Sequence, residues 1–78
     1  MDRKSMITDY IKSEIMRNDK ARIVDDEDLL SEGILDSLGI LQLVAYINDN
    51  FGIEIPDRDV VYENFHSVKA LDTYLQQY

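Results

Sequence analysis

Ile40, Val44, Ile47 and Phe51 follow one another at steps of four, three and four residues. At about 100° per residue they fall in one narrow stripe, the mark of a helix with a single buried face. That stripe needs other helices to pack against, because the chain offers no sheet. Period-two alternation is confined to Ile53-Glu54-Ile55, too short for a useful strand. A short extended stretch explains it. Gly52 closes the helix, as a glycine just past the last turn commonly does.

Two further amphipathic segments flank this one. Ile7, Tyr10 or Ile11, and Ile15 recur at helical steps, with Lys12, Ser13 and Arg17 on other faces. They predict a first helix over 3–17, capped by Asp2. Val68, Leu71, Leu75 and Tyr78 form the stripe of a last helix, capped by Ser67. Before it, Pro56 disfavours helix at Ile55. Asp57 then caps a short segment from Arg58 to Glu63 or Asn64, with Val60 and Val61 inward.

Residues 18–36 form a long polar connection; connections of more than about 12–15 residues are uncommon in compact domains and tend to be functional or disordered. Leu29, Leu30, Ile34 and Leu35 can pin it to the core, and Gly33 breaks the run, so an ordered loop with a helical turn near Asp28–Leu30 is expected. The fold class is all-α: an antiparallel four-helix bundle of three main helices and a short third, with a long loop between helices 1 and 2. One domain over 1–78 is expected, since this length leaves no room for a second core.

Charge narrows the function. Sixteen acidic residues face eight basic ones, a net of −8. Nucleic acids and anionic membranes are bound through cationic surfaces, so both are disfavoured as partners. Proteins with basic patches are favoured. The negative field is concentrated at Asp25, Asp26, Glu27, Asp28, Glu32 and Asp36, opposed only by Arg22 over residues 21–36. No cysteine is present, which excludes disulfides and thiolate metal sites. The residues Met1 to Met6 show no apolar run of the kind a signal peptide needs, and cytoplasmic residence is expected.

The informative stretch is Glu32-Gly33-Ile34-Leu35-Asp36-Ser37-Leu38-Gly39. It sets Ser37 where the long loop meets a helix N-terminus, whose unpaired amides and positive dipole end suit a phosphate ester. A serine there is open to another enzyme, and Asp36 beside it could bind a metal ion or a basic group on that enzyme. On position alone, serine or aspartate at a helix start is usually a cap, worth about 1 kcal/mol.

Asp36-Ser37-Leu38 after a long acidic loop resembles the phosphopantetheine attachment motif of acyl and peptidyl carrier proteins. The resemblance covers nearly the whole chain, including the Phe51-Gly52-Ile53-Glu54-Ile55-Pro56 turn. It implies a non-catalytic carrier. A phosphopantetheinyl transferase would attach 4′-phosphopantetheine to Ser37, and the thiol of that arm would hold an acyl, aminoacyl or peptidyl group as a thioester. The implied partners are that transferase, an adenylating acyl or aminoacyl ligase, and downstream transferase, condensing or tailoring enzymes. A monomer is expected.

Carriers of fatty acid synthesis typically have a strongly acidic second helix, whereas residues 38–51 hold only Asp49, and Gly39 stands where that type commonly has an acid. The stretch is more similar to D-alanyl and stand-alone aminoacyl or peptidyl carriers, of aminoacyl-transfer or of natural-product (nonribosomal peptide or polyketide-type) pathways. Two alternatives stay open: an acyl carrier of fatty acid synthesis, and an acidic helical adaptor in which Ser37 is only a cap.

Leu38, Leu43 and Tyr46 are candidates for a docking face on the second helix, where the resemblance puts partner contacts. Asp25 to Asp28 do not make a calcium loop. Counting from Asp25 puts Leu30 at the sixth place and Asp36 at the twelfth, and counting from Asp26 puts Ser31 and Ser37 there. His66, the only histidine, reads as a helix-start or surface residue. Tyr62, Tyr74 and Tyr78 read as core and boundary residues.

Overall fold

A computed structural model describes residues 2–78; Met1 lies outside them. Helix α1 (Arg3–Tyr10) starts at Asp2, whose carboxylate accepts the Ser5 N–H at 2.8 Å. The helix then widens into a π-helical turn, Ile11–Ile15, where the Met16 N–H reaches back to the Ile11 carbonyl at 2.8 Å. Ser13 Oγ donates to the Asp9 carbonyl at 2.8 Å and so competes with the α-helical ladder at that point. The widening also serves packing. Residues four apart drift about 40° per step around an α-helix, and a wider turn keeps Ile15 closer to the face of Ile7 and Ile11. The latter two are fully buried. The expected helix over 3–17 thus ends at Ile15, and Arg17 turns the chain at φ 55°.

Helix α2 (Ser37–Phe51) lies antiparallel to α1, as four contacts show. Tyr10 Oη donates to the Gln42 carbonyl and Tyr46 Oη to the Met6 carbonyl, both at 3.4 Å. The Arg3 guanidinium sits 5.9 Å from the Phe51 ring centre, and Ile15 abuts Gly39. Rising numbers on one helix therefore meet falling numbers on the other. The Tyr10 and Tyr46 rings stack at 4.1 Å between centroids.

The buried face of α2 is rotated from the expected stripe. Gly39, Leu43 and Ile47 are buried, while Ile40, Val44 and Phe51 are half-buried flanks. Gly39 is the reason. A Cβ there would stand 3.3 Å from Leu35 Cδ2 and 3.7 Å from Ile15 Cγ2, so the missing side chain lets α2 settle on this edge. Gly52 ends the helix at φ 68°, a left-handed conformation that glycine takes without strain.

Ile53 and Ile55 point inward and Glu54 outward, without a sheet. The short third helix starts later than expected. Asp57–Asp59 form only a 3-10 turn, Val61 is extended, and α3 spans Tyr62–Phe65. The branched pair Val60-Val61 disfavours a continuous helix. Val61 points outward rather than inward, and Phe65, absent from the expected core, is buried.

Helix α4 (Val68–Leu75) is capped by Ser67, whose Oγ accepts the Ala70 N–H at 3.0 Å. Val68, Leu71 and Leu75 are buried, whereas Tyr78 falls outside the stripe and is exposed. Arg3 ties the end of α4 to the start of α1, donating to the Leu75 carbonyl at 2.8 Å and the Tyr78 carbonyl at 3.1 Å. The result is a four-helix bundle with no strand among the described residues. No helix among them is long and apolar enough to cross a membrane.

Candidate functional site

The loop before α2 is ordered by its own backbone. Asp28 accepts from the Leu30 N–H at 3.1 Å, the Ser31 N–H at 2.9 Å and Ser31 Oγ at 3.0 Å, and its carbonyl accepts the Glu32 N–H at 3.1 Å. That is the single helical turn expected near Asp28–Leu30. Leu29 and Leu35 are buried at either end of the turn. The Leu29 carbonyl accepts both the Ile34 and Leu35 N–H groups, at 2.9 and 3.0 Å. The loop is also held from outside: Leu29 N–H donates to the His66 carbonyl at 2.7 Å, and Lys69 N–H to the Asp25 carbonyl at 2.8 Å.

The loop delivers Asp36 in extended conformation, φ −127° and ψ −172°, as the N-cap of α2. Its Oδ1 accepts the Gly39 N–H at 2.8 Å. Ser37 is therefore the first residue of the helix and not its cap. It is exposed, and among the described residues its hydroxyl is engaged in no hydrogen bond. The Asp36 carboxylate stands where the sequence reading wanted a group for a visiting enzyme, but one of its oxygens is committed to the helix start.

This arrangement suits a phosphate ester. An exposed hydroxyl stands at the positive end of a fifteen-residue helix, whose first amides point outward. The capping requirement is met by the neighbouring residue, so the hydroxyl can be modified without uncapping α2.

The three residues proposed for docking separate. Leu38 is 65% exposed. Tyr46 is half-buried and stacked on Tyr10, on the flank facing α1. Leu43 is fully buried and belongs to the core, a correction that follows from the rotation of α2 at Gly39. The sequence reading missed Leu41, also 65% exposed. Its signal was its spacing, since a residue three beyond Leu38 shares that face.

Around the site, the electrostatics belong to the loop. The Tyr62 hydroxyl, which donates to Asp28, holds that carboxyl down at about 2, helped by the Ser31 and Leu30 amides. Glu27 is lowered by a hydrogen bond from Glu32, with the Val24 amide adding to it, and Glu32 is raised by the same contact. The acidic run read against a calcium loop spends Asp28 on turn formation. His66 stacks on Tyr62 at 5.0 Å between ring centres, and its backbone carbonyl holds Leu29.

Known proteins match this description. Residues 7–75 match the family described as "Phosphopantetheine attachment site". The chain belongs to that family. The carrier is 31% identical to a D-alanyl carrier protein of Streptococcus suis, over 91% of this chain and 87% of that one. It is 33% identical to a D-alanyl carrier protein of Bacillus velezensis, over 76% and 80% of the two chains. It also superposes on a chain of a solved structure described as a crystal structure of FAD-dependent dehydrogenase. There the TM-score is 0.77 and the identity 30%, covering 88% of the carrier and 97% of that chain. Members of this family bear covalent 4′-phosphopantetheine, and the carrier is not an enzyme.

Proposed function

We propose that the carrier receives its phosphopantetheine arm on Ser37 and holds an aminoacyl thioester loaded by an adenylating ligase. The observation that supports this most is the division of labour at the start of α2: Asp36 caps the helix and leaves the Ser37 hydroxyl exposed and unengaged. When bound, the arm supplies a thiol that carries the cargo as a thioester. The protein's part is presentation. It fixes the attachment point at a helix start, on a face where Leu38 and Leu41 offer apolar contact and Asp36 a carboxylate.

The aminoacyl class is favoured over fatty acyl cargo by two features. Both relatives are D-alanyl carriers, and the Ser37–Phe51 helix has a single acid, Asp49, on a chain of net charge −8. An enzyme that docks on α2 therefore meets an almost neutral surface. Downstream transferase, condensing or tailoring enzymes would take the cargo from the arm. We place the carrier in the cytoplasm, in a natural-product or aminoacyl-transfer pathway.

Intact mass tests this reading. The protein is measured before and after incubation with coenzyme A, magnesium and a broad-specificity phosphopantetheinyl transferase. One phosphopantetheinyl group should be gained, and Ser37→Ala should gain none. Addition of ATP, D-alanine and a D-alanine-activating ligase should then add one alanyl group. No gain by the folded protein in the first step would reject the Ser37 assignment, and failure of the second alone would reject D-alanine.

A further inference from the structure

We propose that Tyr62 is a positioning residue for the Ser37 segment, acting through Asp28 and the turn that Asp28 folds. The inference rests on Ser37 being the attachment residue.

Tyr62 opens α3 and is half exposed, so burial does not account for an aromatic residue there. Its hydroxyl donates to the Asp28 carboxylate, 34 residues away in the chain. The same carboxylate gathers the Leu30 and Ser31 amides and the Ser31 hydroxyl. The His66 ring stacks on Tyr62, and the His66 carbonyl takes the Leu29 amide at 2.7 Å. Both ends of the short α3 helix thus grip adjacent loop residues.

From there the line to the site is short. The Leu29 carbonyl holds the Ile34 and Leu35 amides, and Leu35 is buried against Gly39. Asp36 and Ser37 follow directly. Of the two grips that α3 has on the Asp28-Leu29 pair, Tyr62 on Asp28 and the His66 carbonyl on Leu29, removing the first loosens the turn and the segment that enters α2. Leu29 and Leu35 share the bundle core with Leu43, Ile47, Phe65 and Leu71, but only the first two lie on the loop that Asp28 orders.

The test uses the full chain and three variants: Tyr62→Phe, Asp28→Asn, and both together. Tyr74→Phe is the control, since it also removes a tyrosine–carboxylate contact, with Asp59 at 2.6 Å, but away from this loop. Two readouts are taken: amide hydrogen exchange, and steady-state transfer of the arm from coenzyme A. In Tyr62→Phe the Ile34 and Leu35 amides should exchange faster while Leu43 and Ile47 stay unchanged. The KM for the carrier should rise about threefold to tenfold at constant kcat. That is a small effect for a hydrogen bond to a charged group, because Tyr62 is exposed. The double variant should be no worse than the worse single one, since the two residues act as a unit. Unchanged exchange at Ile34 and Leu35, an equal rise at Leu43 and Ile47, or the same KM change in Tyr74→Phe would each overturn the proposal. A wild-type chain that takes no arm would reject the Ser37 assignment and this inference together. A normal KM in Tyr62→Phe rejects the inference alone.

Discussion

Two serines open two helices in this molecule, and they are held in opposite ways. Ser67 is the N-cap of α4: it is extended and buried, and its hydroxyl accepts the Ala70 amide. Ser37 stands one position further in, exposed and, among the described residues, without a side-chain hydrogen bond, because Asp36 already caps α2. The residue type is the same and the local sequence is helix-initiating in both places. What leaves the Ser37 hydroxyl unengaged is the carboxylate before it, which makes the cap in its place. A helix start can therefore be read as structural or functional by asking which residue performs the cap.

The strongest way to break this contrast is to remove each hydroxyl in turn. Ser37→Ala should abolish attachment of the arm while changing folding stability by less than about 0.5 kcal/mol, as expected for an exposed position with no partner. Ser67→Ala should do the reverse, accepting the arm in full while losing about 1 kcal/mol, the usual cost of a lost cap. Intact mass and urea denaturation read the two effects. A Ser37→Ala protein as destabilised as Ser67→Ala would mean that Ser37 shares the capping role after all.

Asp36 and Gly39 sharpen the same point at smaller scale. Gly39→Val puts a branched side chain where even a Cβ meets Leu35 at 3.3 Å and Asp36 Oδ1 at 3.4 Å. Overpacking of this kind costs about 1–3 kcal/mol, and here it also pushes on the cap itself, so arm transfer should slow as well. Asp36→Ala should cost about 1 kcal/mol through the lost cap, whereas Asp36→Asn keeps an acceptor for the Gly39 amide and should cost much less. If Asp36→Asn folds normally but is modified slowly, the carboxylate's charge serves the transferase as well as the helix. Denaturation midpoints paired with transfer rates separate the two.

Much of this was legible in the residues. The helix stripes, Gly52 as a terminator and the Asp36-Ser37-Leu38 motif follow from period, backbone preference and resemblance, all of which are local. What was not legible depends on contacts between distant segments. The rotation of α2 arises because Gly39 meets Leu35 and Ile15, and no period within 37–51 reports it; Leu43 was misplaced on that account. The π-helical turn at Ile11–Ile15 adjusts one isoleucine row to a neighbouring helix. Phe65 lies in a helix of four residues, too short to show a stripe. The Tyr62–Asp28 contact joins residues far apart in sequence, and neither looks unusual alone.

The smallest effect concerns a second carboxylate cap, Asp28, which differs from Asp36 in having a tyrosine as an added donor. Its carboxyl is held at about 2, below the ordinary 3.8, first by Tyr62 and then by the turn amides. Because the folded value is depressed, the stabilisation is fully present above the unfolded value. It is lost as pH falls from about 4 toward 2, when Asp28 takes up a proton. The Leu30 and Ser31 amides report on this group directly. Glu27 and Glu32 titrate on the same loop, with Glu32 raised by its neighbour, so side-chain signals would overlap. In wild type the two amide resonances should titrate with a midpoint near 2. Removing the hydroxyl in Tyr62→Phe should move that midpoint up toward the ordinary carboxyl value, leaving part of the shift to the amides. A wild-type midpoint already at the ordinary value would mean that Asp28 caps its turn no better than an isolated aspartate. The start of α2 would then rest on Asp36 and Leu35 alone.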